Sequence, residues 1–220
     1  NLITEYLLIA EYKLRGFLSK ELPSTWKSGE VSDVLIIQGL NEYVINFREF
    51  GDIANKLGFR VHGIDLHTRA TVANIAQQYI NFIKENDLRD IVIVCHSKGG
   101  IISKFLLDNY PEINKRVSKV ISIAVPFGGS GLGWIPIWNI PELGTNSKFI
   151  KKLLQKTENN VKFLNLYSEL DNHVILSDSL RLSGADNRLI NIIGHTRILR
   201  SEETEKIYTQ ALEQIRDERL

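Results

Sequence analysis

Cys95-His96-Ser97-Lys98-Gly99-Gly100 breaks one pattern and starts another. Ile91 to Val94 read as a buried strand, and Ile101, Ile102, Phe105 and Leu106 recur at helical spacing. Almost no loop separates the two. A strand-to-helix turn that tight exposes a side chain at its apex, here Ser97, and crowds its neighbours, so small residues such as Gly99 and Gly100 are needed. A serine hydroxyl is a weak nucleophile. It needs a base to take its proton, an acid to fix the tautomer of that base, and backbone N–H groups where charge develops on an attacked carbonyl.

The chain offers these partners in the order serine, acid, histidine. Asp171, within Ser-Glu-Leu-Asp-Asn-His-Val, and His195, within Gly-His-Thr-Arg-Ile-Leu, each follow a predicted strand. Glu169, Asp178 and Asp186 are rival acids, Glu169 being the nearest in sequence, and His173 and His96 are rival bases. The N–H of Lys98 and that of Leu40, after Gly39, are the candidate oxyanion donors. In this reading Lys98 acts through its backbone, and its side chain need do nothing. The chemistry requires no metal and no organic cofactor.

Alternating elements must position these groups. Apolar runs at 33–38, 59–65, 91–94, 117–125, 161–168 and 188–194 read as strands. Helix patterns separate them: Phe47, Phe50, Ile53, Ala54 and Leu57; then Val72 to Ile83, opened by Thr71; then the helix after Ser97; and a closing helix from Ser201 to Arg216. Strand and helix in alternation predict right-handed crossovers and a mostly parallel sheet of about six strands with helices on both faces. Ligands of such sheets bind beyond the carboxyl ends of the strands, where the candidate residues fall. Residues 126–146 break the rhythm with three prolines and five glycines, and suggest a lid or pocket wall in which Trp134, Ile135, Ile137 and Trp138 line an acyl site. A packed irregular loop is the alternative.

The division expected is an N-terminal helical extension at 1–30 and an α/β domain at 31–220. The extension carries two apolar stripes: Leu2, Tyr6, Ile9 and Phe17, with Lys13 between, and Ile3, Leu7, Leu14 and Leu18. They read as an amphipathic helix packed on the domain, with a membrane-surface helix as the alternative. The 220 residues are 43% hydrophobic and 24% charged, enough for one sizeable core. A net charge of +1 gives no global field that favours nucleic acid. The single cysteine, Cys95, excludes an internal disulfide and fits a cytoplasmic setting, with peripheral membrane association as an option.

The segments VLIIQGLNEY, VHGIDL, IVIVCHSKGGIISKFLL, VISIAVPFGGSGLG, LYSELDNHVI and IIGHTRIL together resemble an α/β-hydrolase of the lipase/esterase group, from about Val34 to Leu199. The resemblance implies a compact α/β-hydrolase fold, a serine nucleophile at Ser97, an acyl-enzyme intermediate and hydrolysis of small-molecule or lipid carboxylic esters. Ala124 to Ser130 is similar to the lipase version. Two departures stand out: Gln38-Gly39 replaces the usual His-Gly, and Cys95 replaces the first glycine of G-x-S-x-G. Thioesterase or acyltransferase chemistry would use the same three residues, and a non-catalytic binding protein is the reading from another class.

Overall fold

The structure is a computed structural model and describes residues 2–19, 21–131, 139–174 and 177–219. Six strands form one sheet: β1 (Asp33–Ile37), β2 (Arg60–Gly63), β3 (Ile91–His96), β4 (Val117–Ile123), β5 (Phe163–Leu170) and β6 (Asp186–Ile193). All pairs are parallel, and the order is β2-β1-β3-β4-β5-β6. Every residue of β1 and of β3 is buried, as strands covered on both faces must be.

Side chains alternate between the faces. Leu35, Ile37, Ile91, Ile93 and Cys95 pack with α3 (Val72–Glu85), α4 (Lys98–Asn109) and α6 (Lys148–Leu154). Val34, Ile36, Val92 and Val94 pack on the other side with α1 (Leu2–Leu18), α2 (Arg48–Lys56) and α7 (Glu202–Asp217). The short α5 (Pro111–Asn114) closes the turn into β4. The parallel sheet with helices on both faces is as expected.

Element ends differ from the sequence reading by a few residues, for local reasons. β4 stops at Ile123 because Ala124 takes φ 48°, a left-handed conformation no strand accepts. β5 runs on to Leu170, so Asp171 is the first residue beyond it. Thr71 caps α3 by accepting the N–H of Asn74 at 3.3 Å. Ser201 precedes α7 but makes no side-chain cap; Glu202, Glu203 and Glu205 in its first turn favour that helix end instead.

The N-terminal helix turns Glu5, Tyr12 and Gly16 inward, with Leu8 and Ile9 partly buried beside them. Glu5 is fully buried and its carboxylate accepts the N–H groups of Thr196 (2.7 Å) and Arg197 (3.0 Å). Tyr12 is buried, and Gly16 lets the Tyr43 ring lie against the helix where a Cβ would collide. The stripe of Ile3, Leu7, Leu14 and Leu18 faces solvent, together with Tyr6 and Phe17; all six are more than half exposed. Among the described residues no helix is long and apolar enough to cross a membrane.

Candidate active site

Ser97 stands between the end of β3 and the start of α4 with φ 51° and ψ −125°. A non-glycine residue there carries strain of roughly 1–3 kcal/mol, which the surroundings must impose. They do so by close packing. Gly99 lies against the backbone of Ile37, where a Cβ would run into the carbonyl oxygen, and Gly100 lies against the Val125 side chain. Cys95, in the place of the first small residue, is fully buried in the α3–α4 core, and burial pushes its thiol up to about 12. There its thiol donates to the Ile121 carbonyl at 3.7 Å.

His195 follows β6 after Gly194, whose φ of 127° turns the chain back over the sheet. Its Nε2 is 2.9 Å from Ser97 Oγ, and its Nδ1 is 2.7 Å from Asp171 Oδ2. The other oxygen of Asp171 accepts the N–H groups of His173 (2.8 Å) and Val174 (3.0 Å). Burial opposes ionisation of Asp171, but the charge and hydrogen bond of His195 and the backbone donors hold its carboxyl below the usual range. The carboxylate therefore accepts Nδ1–H, and Nε2 offers a lone pair to the serine hydroxyl. These three residues lie 98 and 24 positions apart and meet at the carboxyl edge of the sheet.

The rivals stand elsewhere. Glu169 is in β5 with its side chain exposed, and Asp186 opens β6 at the opposite end of the strand, paired with Arg188 at 2.9 Å. The His173 ring lies tilted by 43° against that of His195, with centroids 4.5 Å apart; burial and the charge of His195 push it down to about 4, so it is neutral at neutral pH. The fully buried His96 binds Glu42 and the carbonyl of His195 rather than Ser97.

The loop after β1 comes within reach of the serine. A Cβ on Gly39 would sit 3.0 Å from Ser97 Cβ. The Gly39 N–H donates to Glu42 Oε2 (2.7 Å) and the Asn41 N–H to Thr68 Oγ1 (2.8 Å), whereas among the described residues no hydrogen bond engages the N–H of Leu40 or of Lys98. Gln38, at the position of the first departure, is buried; it donates to the Ile64 carbonyl (3.0 Å) and accepts from the Tyr79 hydroxyl (2.6 Å). The Lys98 side chain, of which the proposed chemistry asks nothing, has a structural task. It is buried, and its Nζ donates to the carbonyls of Thr68 (2.8 Å) and Ala70 (2.6 Å), tying the loop after β2 to the elbow. Burial pushes this ammonium down to about 8.

A cavity of about 260 Å³ opens over Ser97 and His195, walled by Ile9 and Tyr12 of α1, Leu40, Pro126, Leu143 and Val174. Residues 126–131 and 139–146 stand at its edge: Ser130 N–H donates to Leu143 O (2.7 Å), and Glu142 accepts the N–H of Val72 (2.9 Å). Trp134, Ile135, Ile137 and Trp138 lie outside the described residues. Among the described residues no group of three or more His, Cys, Asp or Glu side chains converges as metal ligands.

No protein-family profile and no curated protein sequence matches the chain. Solved structures do. A Bacillus licheniformis lipase in its mature form superposes with a TM-score of 0.65 at 19% identity, over 88% of this chain and 95% of that one. Aspergillus fumigatus lipase B gives 0.73 at 18% identity, over 87% of this chain and 55% of that one, so the chain spans about half of that lipase. A Paleococcus ferrophilus monoacylglycerol lipase gives 0.63 at 14% identity, over 84% and 94%. Likeness at such identity speaks to the fold.

The chain has the α/β-hydrolase fold.

In this α/β-hydrolase fold, sequence reasoning singled out neither Glu42 nor Glu5, although both carboxylates grip the loops around the candidate residues. Glu42 carried a signal: an acid three residues after Gly39 can reach back to the glycine N–H, as it does here. Glu5 carried none, because its partners lie about 190 positions away.

Proposed function

We propose that this chain is a serine hydrolase that cleaves carboxylic esters. The observation that carries the reading is the unbroken line from Asp171 through His195 to Ser97 at the floor of an apolar cavity. Ser97 Oγ attacks the ester carbonyl as His195 Nε2 takes its proton. Asp171 keeps the imidazole in the Nδ1–H tautomer and offsets the charge it gains. The N–H groups of Leu40 and Lys98 receive the oxyanion, the Gly39 N–H being already committed to Glu42. His195 then gives its proton to the leaving alcohol. The acyl-enzyme is opened by water, with His195 as base again.

A fluorophosphonate probe followed by a p-nitrophenyl ester series tests this. Labelling at Ser97, with turnover that depends on acyl length, is the expected result. Folded protein that neither labels nor turns over any ester would sink the reading. A preference for acyl-CoA over oxygen esters, or transfer to an added alcohol, would redirect it to thioesterase or acyltransferase chemistry on the same residues.

The substrate is assigned to lipid esters, met at a surface that α1 contacts. The exposed Ile3, Tyr6, Leu7, Leu14, Phe17 and Leu18 lie on the helix whose inner edge, Ile9 and Tyr12, walls the cavity, and Lys13 sits between the two. A lipid layer on that face would bring its esters to the cavity mouth. Leu7→Glu with Leu14→Glu should abolish co-sedimentation with phosphatidylcholine vesicles and spare hydrolysis of short soluble esters. Undiminished co-sedimentation would remove the assignment.

A further inference from the structure

A second acid–histidine pair lies behind the first. His96 is fully buried; its Nδ1 is 2.6 Å from Glu42 Oε1, and its Nε2 is 3.0 Å from the backbone oxygen of His195. The other Glu42 oxygen accepts the Gly39 N–H at 2.7 Å. Three chain segments therefore meet at one hydrogen-bonded group: the loop after β1, the residue before Ser97, and the backbone that carries the His195 imidazole.

We infer that Glu42 and His96 are positioning residues, which hold the Leu40 N–H and the His195 imidazole in register with Ser97. The inference rests on the ester-hydrolase reading and adds to it the residues that set its geometry.

The chemistry of each atom supports the assignment. A carbonyl oxygen only accepts, so His96 Nε2 carries a proton. Burial disfavours charge on both partners. Their mutual attraction and hydrogen bond outweigh it, holding Glu42 below its ordinary range and His96 above, so the pair is carboxylate and imidazolium. An imidazolium alone, with its ring centroid 4.8 Å from that of His195, would repel the second imidazolium that forms during the reaction; Glu42 cancels it. Capture of the Gly39 N–H fixes the Gln38–Gly39 peptide, and the Gly39 carbonyl, which shares the next peptide plane with the Leu40 N–H, accepts the Glu42 N–H at 3.4 Å; Glu42 thus holds both sides of Gly39 and so the direction of the Leu40 N–H.

Glutamine separates hydrogen bonding from charge. In Glu42→Gln the amide oxygen can still accept from Gly39, and the amide N–H can donate to a neutral His96 Nδ1 while Nε2–H stays on the His195 carbonyl. In Glu42→Ala the Gly39 N–H is orphaned and the loop is released.

The test is steady-state p-nitrophenyl ester hydrolysis by the full chain and both variants, with ¹⁵N NMR of the histidine rings. Glu42→Ala should lower kcat about 100-fold with KM within about twofold, the scale of losing one oxyanion donor, and Glu42→Gln should stay within about fivefold of the parent. A kcat for Glu42→Ala within about threefold of the parent, an effect confined to KM, or an equal loss in both variants would overturn the inference. The NMR needs neither activity nor a stable alanine variant. Both His96 nitrogens should be protonated at neutral pH in the parent and only one in Glu42→Gln. An unprotonated Nε2 in the parent would overturn the pair. If the parent neither labels with a fluorophosphonate nor hydrolyses any ester, the ester reading fails while the spectra still decide the pairing.

Discussion

Two acid–histidine pairs of similar geometry sit at opposite ends of the same sheet. At the amino end, Asp33 of β1 is 2.9 Å from His62 Nε2 of β2. At the carboxyl end, Asp171 is 2.7 Å from His195 Nδ1. What surrounds them differs. Asp33 also takes the guanidinium of Arg60 at 2.9 Å, so its imidazole answers to a carboxylate already satisfied by a cation. His195 turns its second nitrogen to a strained serine beneath a cavity. An acid and a histidine in contact are thus a structural device by default. They become candidate catalytic groups where the free imidazole nitrogen meets a nucleophile, which parallel strands place at their carboxyl ends.

Ser97→Ala should break the comparison most deeply. It leaves both of these acid–histidine pairs intact but removes the nucleophile, and turnover should fall by about 10⁴-fold or more with the melting temperature little changed. Ester assays and thermal melts check this; near-parental activity would return the carboxyl-end pair to a structural role. Asp171→Asn should cost roughly 10³–10⁴-fold through the wrong His195 tautomer. Glu169→Gln, on the exposed side of β5, should leave kcat within about twofold, as surface changes distant from the chemistry do. The reverse ranking would move the acid to Glu169.

Asp33→Asn is the smallest expected change in activity and the sharpest control. Burial opposes ionisation of Asp33, but His62, Arg60 and the Arg89 N–H hold its carboxyl at about 2 against an ordinary 3.8. An acid whose folded value is depressed stabilises the fold above its unfolded value and loses that contribution as pH falls through the folded one. The stabilisation should therefore be complete above about pH 5 and vanish towards pH 2, and it amounts to roughly 2 kcal/mol. Denaturant melts across that range should show this slope in the parent and a flatter one in Asp33→Asn, with kcat at neutral pH unchanged. A large loss of kcat would mean that the two ends of the sheet are coupled.

Much of this was legible along the chain. Apolar runs alternating with helical spacing, and glycines after Ser97, follow from near-neighbour sterics and periodicity, so about six strands, a mostly parallel sheet and a tight elbow could be read directly, while the order of the strands in the sheet could not. The order Ser97, Asp171, His195, each after a strand, could be read for the same reason. Other features needed tertiary structure. Asp171 is distinguished from Glu169 by where β5 ends and which way its alternating side chains face. The side of α1 that packs inward is decided by Glu5, Tyr12 and Gly16, because both of its faces are apolar enough to satisfy a periodicity argument. The tasks of Lys98 and of Glu42 with His96 depend on partners 28 to 99 residues away. Spacing in sequence reports only what a few neighbouring residues can do together; a buried charge finds its partner once the sheet has brought distant loops to one edge.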